Sequence, residues 1–514
     1  MAPTPSRPLP GMLSAAIRAR ARSILTTSPA VTYLITAPQI SHSPRRLVTP
    51  IMTRTVSTRS LHSSSNQPSP SGNLTLHGAV DIPPSTVPEE QTNKMAQAAP
   101  LAVLPLTNIL RSLMTTTISS SPVLLPPSLA IMSALANTAN PVLHPDRNPL
   151  LRYFLKKTFY AQFCAGESAS EVRRTIQSLK SIGFRGVILG YAKEVVLTEV
   201  QAANLGSCGS GAVAEECVRT EVEPWAAGTM ETVLLASPGD FVALKFTGAG
   251  RQALYTLSRC LPPSEALATA IDGICQLASS RGVRLLFDAE QQAFQPGIDN
   301  WTLEFMRKYN TPDRAVVYGT YQAYLKATPA TLSRHLAAAS EGGFTLGVKL
   351  VRGAYLGSDP RHLIHDSKAE TDAAYDDVAE ALLRRQWSAP LRPPDECEKA
   401  TFPNVNLVLA THNRDSVLKA QAILSENDVE TEVAFAQLQG MADEVSCELV
   451  ATKKTEVKPN AYKYLVWGST GECMKYLLRR AQENRDAVQR TRGGRDAMRL
   501  ELARRVKSVL GLAN

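Results

Sequence analysis

The sequence predicts a closed (β/α)8 barrel, preceded by a helical arm and a disordered targeting segment. Three observations carry this. From about residue 152, eight short β-rich runs alternate with helical stretches. Strands separated by helices run parallel, and eight such units close a sheet on itself. Residues 97–143 are apolar and hydroxyl-rich, with Arg111 as the only charge, which suggests two or three packed helices. The basic excess of the chain is confined to its N-terminus. An open doubly wound sheet is the alternative, but no G-x-G-x-x-G follows any strand, so a dinucleotide-type site is unsupported.

The 514 residues carry 55 Lys+Arg and 46 Asp+Glu. Eight of the basic residues, all Arg, lie in residues 1–80, where there is no acid; the other 434 residues hold 47 basic against 46 acidic side chains. A nearly neutral body argues against a nucleic-acid surface. Residues 1–60, with Arg18, Arg20, Arg22, Arg45, Arg46, Arg54 and Arg59 among Ser and Thr, have the composition of a mitochondrial presequence. Residues 12–26 can form its short helix, and a disordered basic tail is the plainer alternative. Residues 61–95, rich in Ser, Pro, Thr and Asn, read as a linker, and 96–150 as the arm. Eight scattered Cys with no C-x-x-C give neither a disulfide framework nor a zinc site, and no metal is expected. No apolar run reaches the ~18 residues of a membrane span; 124–139 comes nearest and is broken by Pro126 and Pro127.

The strands are expected at 159–165, 186–191, 241–247, 283–289, 315–322, 345–351, 406–411 and 432–437. Amphipathic helices are expected at 171–181, 329–340, 367–384 and 415–426, and a last helix at 471–484 after the segment 462–468. The stretches 196–223 and 386–404 break the rhythm and read as surface insertions.

A barrel builds its active site at the C-terminal ends of its strands. Lys245 ends one run and Asp288 the next, so a buried ion pair between them is expected, serving either function or barrel filling. Gln322, Thr411, His412 and Asn413 are short polar groups at strand ends, suited to a flat polar heterocycle. Lys349 can donate to an electron-rich ring atom or form a Schiff base. Ser367-Lys368-Ala-Glu370 is a capping box whose N-terminal helix turn can hold phosphate. Arg479 and Arg480 lie about 100° apart on one helix, and two guanidinium forks suit a carboxylate, although an ordinary basic surface gives the same pattern.

The runs Phe287-Asp-Ala-Glu-Gln-Gln, Tyr321-Gln-Ala-Tyr, Lys349-Leu-Val-Arg-Gly-Ala-Tyr355, Ala410-Thr-His-Asn413 and Tyr476-Leu-Leu-Arg-Arg480…Glu-Asn484 together resemble the flavin-dependent proline dehydrogenase family, over roughly residues 152–510. The resemblance implies a distorted (β/α)8 TIM-type barrel holding FAD, which oxidises L-proline to Δ1-pyrroline-5-carboxylate and passes electrons to ubiquinone. It implies a peripheral contact with the matrix side of the mitochondrial inner membrane. It also implies roles by motif position. Arg479 and Arg480 would hold the substrate carboxylate. Lys245 and Asp288 would shape the pocket, and Tyr464, Tyr355 and Leu350 would pack on the pyrrolidine ring. Glu167 would pair with one of the two arginines as a gate when substrate is bound. The flavin would be held by Asp288, Gln322, Lys349, Val351, Gly353, Lys368, Thr411, His412, Asn413 and Glu483. The two insertions depart from the bacterial pattern. A Schiff-base aldolase using Lys245 or Lys349, and a barrel without catalysis, are the rival readings. For the membrane contact the arm comes first; the C-terminal helix, with Met498, Leu502, Val506 and Val509 at helical spacing, either lies on lipid or packs on the barrel.

Overall fold

The computed structural model describes residues 99–138, 140–192, 205–209, 211–393, 401–426, 431–451, 459–483 and 488–512. The expected presequence and linker lie outside the described residues. Eight parallel strands form a closed barrel in sequence order. They are β1 (Gly186–Tyr191), β2 (Phe241–Leu244), β3 (Arg284–Phe287), β4 (Val317–Gln322), β5 (Leu346–Val351), β6 (Val405–Ala410), β7 (Glu432–Leu438) and β8 (Asn460–Trp467). β8 pairs with β1 in the register Gly186↔Tyr462 to Tyr191↔Trp467, which closes the sheet and excludes the open alternative.

One expected strand is corrected. The run at 159–165 forms a short helix, Phe159–Phe163, and only Cys164 bridges to Val466. The eighth strand is instead Asn460–Trp467. A short apolar run does not distinguish strand from buried helix. In β8 the pattern is obscured by Lys463, which is 2% exposed and paired with Asp443 at 2.7 Å behind the sheet.

The helical arm is α1 (Leu106–Ser119), α2 (Leu125–Asn137) and α3 (Pro149–Lys157). Pro126 and Pro127 do not break α2, because they occupy its first turn, where a missing N–H has no helical partner to lose. Around the barrel run α4 (Ala169–Ile182), α5 (Glu223–Leu235), α6 (Arg251–Ser258), α7 (Glu265–Ser280), α8 (Gln295–Tyr309), α9 (Thr328–Gly342), α10 (Lys368–Arg384), α11 (Arg414–Leu424) and α12 (Asp443–Ala451). α13 (Thr470–Glu483) and α14 (Val488–Val509) follow β8. The caps follow the sequence. Ser168 Oγ accepts from Glu171 N at the start of α4, and Gly183, at φ 117°, ends it. Asn413 Oδ1 accepts from Asp415 N at 2.9 Å to start α11.

The two expected insertions are not loose loops throughout. Cys208, Cys217 and Val222 are buried, and a helical run from Ala212 leads into α5. In the second, Leu391 is buried and the Trp387 and Phe402 rings lie 4.9 Å apart.

Two cores result from the period of two along each strand. Ile188, Phe241, Leu286, Tyr318, Val408 and Tyr462 fill the barrel interior. Leu189, Val242, Leu285, Val348, Leu350 and Leu465 face the helices. At the N-terminal end the Arg284 guanidinium lies 3.8 Å from the Phe241 ring centre and donates to Gly239 O and Tyr462 Oη, which plugs the barrel.

Between β4 and α9, buried His335 Nδ1 and Tyr321 Oη are 2.7 Å apart. Burial lowers the His335 pKa to about 4. The unfolded chain, with an ordinary histidine, binds the extra proton below about pH 6.5. Stability should therefore fall as pH drops from about 6.5 toward 4, by on the order of 1–3 kcal/mol from this residue. Urea midpoints at pH 7 and 4.5 test it: His335→Gln should show a flatter pH dependence than the unmodified protein, and an equal slope would contradict it.

Candidate active site

At the C-terminal mouth the strands present side chains by the same alternation that fills the core. One residue past β2 stands Lys245, and one past β3 stands Asp288, whose N–H donates to Leu244 O. Lys349 points inward from β5 and Tyr464 from β8. Asp288 Oδ1 lies 2.6 Å from Lys349 Nζ, with both side chains about nine-tenths buried. Tyr464 Oη donates to Asp288 Oδ2 at 3.3 Å, and the Lys349 ammonium lies 5.4 Å from the Tyr464 ring centre.

The partner foreseen for Asp288 was Lys245; its ion pair is with Lys349. In a (β/α)8 barrel, alternate strands contribute to the same interior layer, so β3 and β5 meet across the mouth. Lys245 lines the same cavity, its carbonyl accepting from Trp225 Nε1 at 3.1 Å. Its charge acts on Glu290. Burial raises the Glu290 pKa, while Lys245 and the Thr247 hydrogen bonds oppose the rise. Glu290 accepts from Thr247 N at 3.1 Å and from Thr247 Oγ1. No role was foreseen for Glu290, although it stands two residues after Asp288, the spacing that keeps a strand's side chains on one face.

α13 borders the mouth, with Tyr476 near both arginines. The Arg479 and Arg480 guanidinium carbons lie 5.8 and 5.5 Å from the Tyr476 ring centre. Burial raises the Tyr355 pKa and Glu290 adds to it, whereas Arg479 and Arg480 pull it down, so this hydroxyl stands within the field of both cations. Burial likewise raises Tyr464, with Asp288 adding and Arg480 opposing. These groups border a cavity of about 530 Å³ that takes in Lys245, Asp288, Glu290, Tyr355, Tyr464 and Arg479. Arg480 borders a second cavity beyond Tyr476.

Two assignments are corrected. Leu350 is fully buried between the sheet and the helices, because alternation places it on the opposite face of β5 from Lys349. Leu438, at the end of β7, lines the cavity that Arg480 borders, and no role was expected for it. Glu167 does not stand beside the arginines. It pairs with Arg152 at 2.7 Å and Lys156 at 2.8 Å, and accepts from Thr470 N at 2.7 Å, at the start of α13. Arg479 lies nine residues further on, roughly 14 Å at 1.5 Å per residue. Burial pushes the Glu167 pKa up, but the donors of Arg152, Lys156 and Thr470 prevail and bring it to about 2. Glu167 thus anchors the helix that carries the arginines.

The remaining residues expected at a cofactor lie along β4 to β6. Gln322 Nε2 donates to Glu290 O at 3.3 Å, and its Oε1 accepts from Ala354 N at 3.4 Å. Val351 ends β5, half-buried, and its carbonyl accepts from Ala323 N. Gly353 has φ 142°, and a Cβ there would lie 2.2 Å from the Tyr324 ring. Thr411 Oγ1 accepts from Arg352 Nη1 at 2.7 Å and from Asn413 N at 3.0 Å. His412 Nε2 accepts from Leu438 N at 3.1 Å, the bond of a neutral ring. Lys368 opens α10, exposed, and pairs with Asp372, while Ser367 caps the helix as expected. The Glu483 side chain lies outside the described residues. Among the described residues no group of His, Cys, Asp and Glu could hold a metal ion.

The profile of the family described as proline dehydrogenase matches residues 172–493, more than half of the chain. A probable mitochondrial proline dehydrogenase of Schizosaccharomyces pombe is 31% identical over 407 residues, 70% of this chain and 81% of that one. Human hydroxyproline dehydrogenase is 29% identical over 69% of this chain and 82% of its own length. Mitochondrial proline dehydrogenase 1 of Caenorhabditis elegans is 35% identical over 46% of this chain, but only 37% of its own length is covered. Among solved structures, proline utilization A (PutA) from Bdellovibrio bacteriovorus superposes with a TM-score of 0.53 at 16% identity, over 77% of this chain and 40% of that one. The last likeness speaks for the barrel fold.

Proposed function

The chain belongs to the proline dehydrogenase family, and from that premise we propose that it oxidises L-proline to Δ1-pyrroline-5-carboxylate, the opening step of proline catabolism, with FAD as cofactor and ubiquinone as electron acceptor. The observation that carries this is the cavity itself. It sets Arg479, Lys245 and Asp288 around Tyr464 and Tyr355, with Lys349 paired to Asp288 and Arg480 acting on the Tyr355 hydroxyl. The residues present fit a flavin. Interior positions at the mouth are small (Gly190, Ala243, Ala410 and Ala436), and a Cβ on Gly190 would come 3.0 Å from Tyr464 Oη. Lys349 and Gln322 offer buried donors beside that space, and Gln322 an acceptor as well. Bound there, the flavin would supply the two-electron acceptor for a hydride from the carbon beside the ring nitrogen.

The protein's own residues do the positioning. Arg479 and Arg480 bind the substrate carboxylate from above. Tyr464 and Tyr355 wall the ring and exclude water. Asp288 fixes the Tyr464 hydroxyl and the Lys349 ammonium. A visible spectrum of the purified protein tests the whole reading: a flavin band bleached by L-proline is expected. A colourless protein that forms a borohydride-trapped adduct at Lys245 or Lys349 would favour aldolase chemistry.

Ring selectivity should follow from Tyr464. Its bulk leaves little room for a 4-hydroxyl group, so L-proline should be preferred over hydroxyproline. Tyr464→Ser should narrow that ratio by roughly tenfold, the scale at which a pocket discriminates a small group. Equal turnover of both substrates by the unmodified enzyme would contradict it.

The proposed place of action is the matrix face of the mitochondrial inner membrane, touched and not spanned. Among the described residues no helix is long and apolar enough to cross a membrane. The arm supports the contact, because α1 buries Ile109 on one side and carries apolar residues on its exposed side as well. Ser112 and Thr115 are buried, whereas Leu106, Leu110 and Met114, four residues apart, are exposed. The C-terminal helix contributes at its end: Met498 is buried, but Val506, Val509 and Leu510 are exposed. Leu106→Glu with Leu110→Glu should cut co-flotation with anionic liposomes by roughly tenfold or more. Unchanged flotation would remove α1 from the contact.

A further inference from the structure

One buried carboxylate in the substrate cavity has no part in the mechanism above. Glu290 is 5% exposed and borders the cavity shared by Lys245, Tyr355, Tyr464 and Arg479. Hydrogen bonds fix it at both ends. Its N–H donates to Gln295 Oε1 at 2.8 Å, and its carbonyl accepts from Gln322 Nε2 at 3.3 Å. One carboxylate oxygen accepts from Thr247 N at 3.1 Å and the other from Thr247 Oγ1. Tying the segments after β2 and β3 together needs no charge, and burying one costs free energy. The ionisable groups that face Glu290 are Lys245 after β2, Asp288 on its own segment, Tyr355 after β5, Tyr464 on β8 and Arg479 on α13.

Proline oxidation creates a need for such a group. In neutral water the ring nitrogen of L-proline is protonated, and its lone pair cannot support loss of hydride from the adjacent carbon. That proton must leave first. Asp288 is already committed: one oxygen lies 2.6 Å from the Lys349 ammonium and the other accepts from Tyr464 Oη. Glu290 holds neutral donors of Thr247 on both oxygens, and each oxygen keeps a second lone pair. Burial raises its pKa against the opposing charge of Lys245, which is the direction a general base requires. We propose that Glu290 is the catalytic base that takes the proton from the substrate's ring ammonium. The proposal rests on the proline oxidation proposed above. The N–H bond breaks, its electron pair stays on nitrogen, and the proton joins the Glu290 carboxylate. The lone pair then forms the C=N bond as hydride leaves the adjacent carbon for the flavin. The product departs as the protonated imine, and Glu290 returns its proton to water through the emptied cavity.

Stopped-flow bleaching of the flavin in the holoenzyme, at saturating L-proline, tests it across a range of pH. At pH 7 Glu290→Gln should slow bleaching by roughly 10²–10⁴-fold, the range of general-base catalysis. The deficit should close as pH rises toward the amine's own pKa, about 10.4 for a comparable alkylammonium, because the substrate then arrives neutral. Glu290→Asp keeps a carboxylate and should recover part of the rate. Bound flavin, read from the visible spectrum, should be retained in both. A deficit of the same size at every pH would mark a merely structural residue and overturn the proposal, as would loss of flavin from Glu290→Gln. So would a deficit that closes at high pH in Lys245→Met but not in Glu290→Gln. Should L-proline fail to bleach the unmodified protein, the proposed oxidation falls and the base falls with it. Bleaching of the unmodified protein with an unchanged profile in Glu290→Gln removes the base alone.

Discussion

Met in place of either Arg479 or Arg480 should raise the KM for L-proline by two to three orders of magnitude and leave the flavin bound. Removing one donor of a desolvated charge pair costs about 2–5 kcal/mol, much of it from the carboxylate left unpaired. The size follows from the site. The two guanidinium groups lie 5.8 and 5.5 Å from the Tyr476 ring centre, and both act on the Tyr355 hydroxyl. They hold one anion together, so the double variant should lose less than the sum of the single losses. Steady-state kinetics with a soluble acceptor, beside the flavin spectrum, measure both quantities. An unchanged KM in both single variants would remove α13 from substrate binding.

Lys349→Met should destabilise the fold by about 3–5 kcal/mol, because it leaves the Asp288 carboxylate buried without its cation. Both side chains are about nine-tenths buried and meet at 2.6 Å, so water cannot take the place of the lost ammonium. Asp288→Asn combined with Lys349→Met removes the stranded charge and should recover most of the loss, since uncharged groups of similar volume often replace such a pair at little cost. Urea midpoints of the four proteins form the cycle. A double variant as unstable as Lys349→Met would show that the damage is packing and not charge. The same single variant should also lose flavin, as Lys349 is one of the buried donors offered to it.

The helices α4, α9, α10 and α11 were readable because their signals are local. Ser168, Ser367 and Asn413 cap α4, α10 and α11, Pro329 stands in the first turn of α9, and apolar residues recur at helical spacing. Strand identity was readable only where β-rich runs were uninterrupted. The run at 159–165 misled because it is apolar and short, and β8 was hidden because Lys463 finds its buried partner in Asp443, twenty residues back in the chain. Inward and outward faces were also within reach: the period of two separates Lys349 from Leu350 once the strand's inner face is known. That face depends on which side the barrel closes, and no single strand records it.

By itself the sequence determined the architecture, the family and the cast of charged groups at the strand ends, because alternation, capping and motif order are properties of neighbouring residues. Only the tertiary structure decided which charges meet. Barrel closure brings alternate strands into one layer, so Asp288 takes Lys349 across the mouth. The position of α13 over that mouth sends Glu167 to the start of the helix and the arginines to the far end. The burial of hydroxyls and exposure of leucines on α1 also emerged only there: which face of a helix is covered depends on what the rest of the chain packs against it.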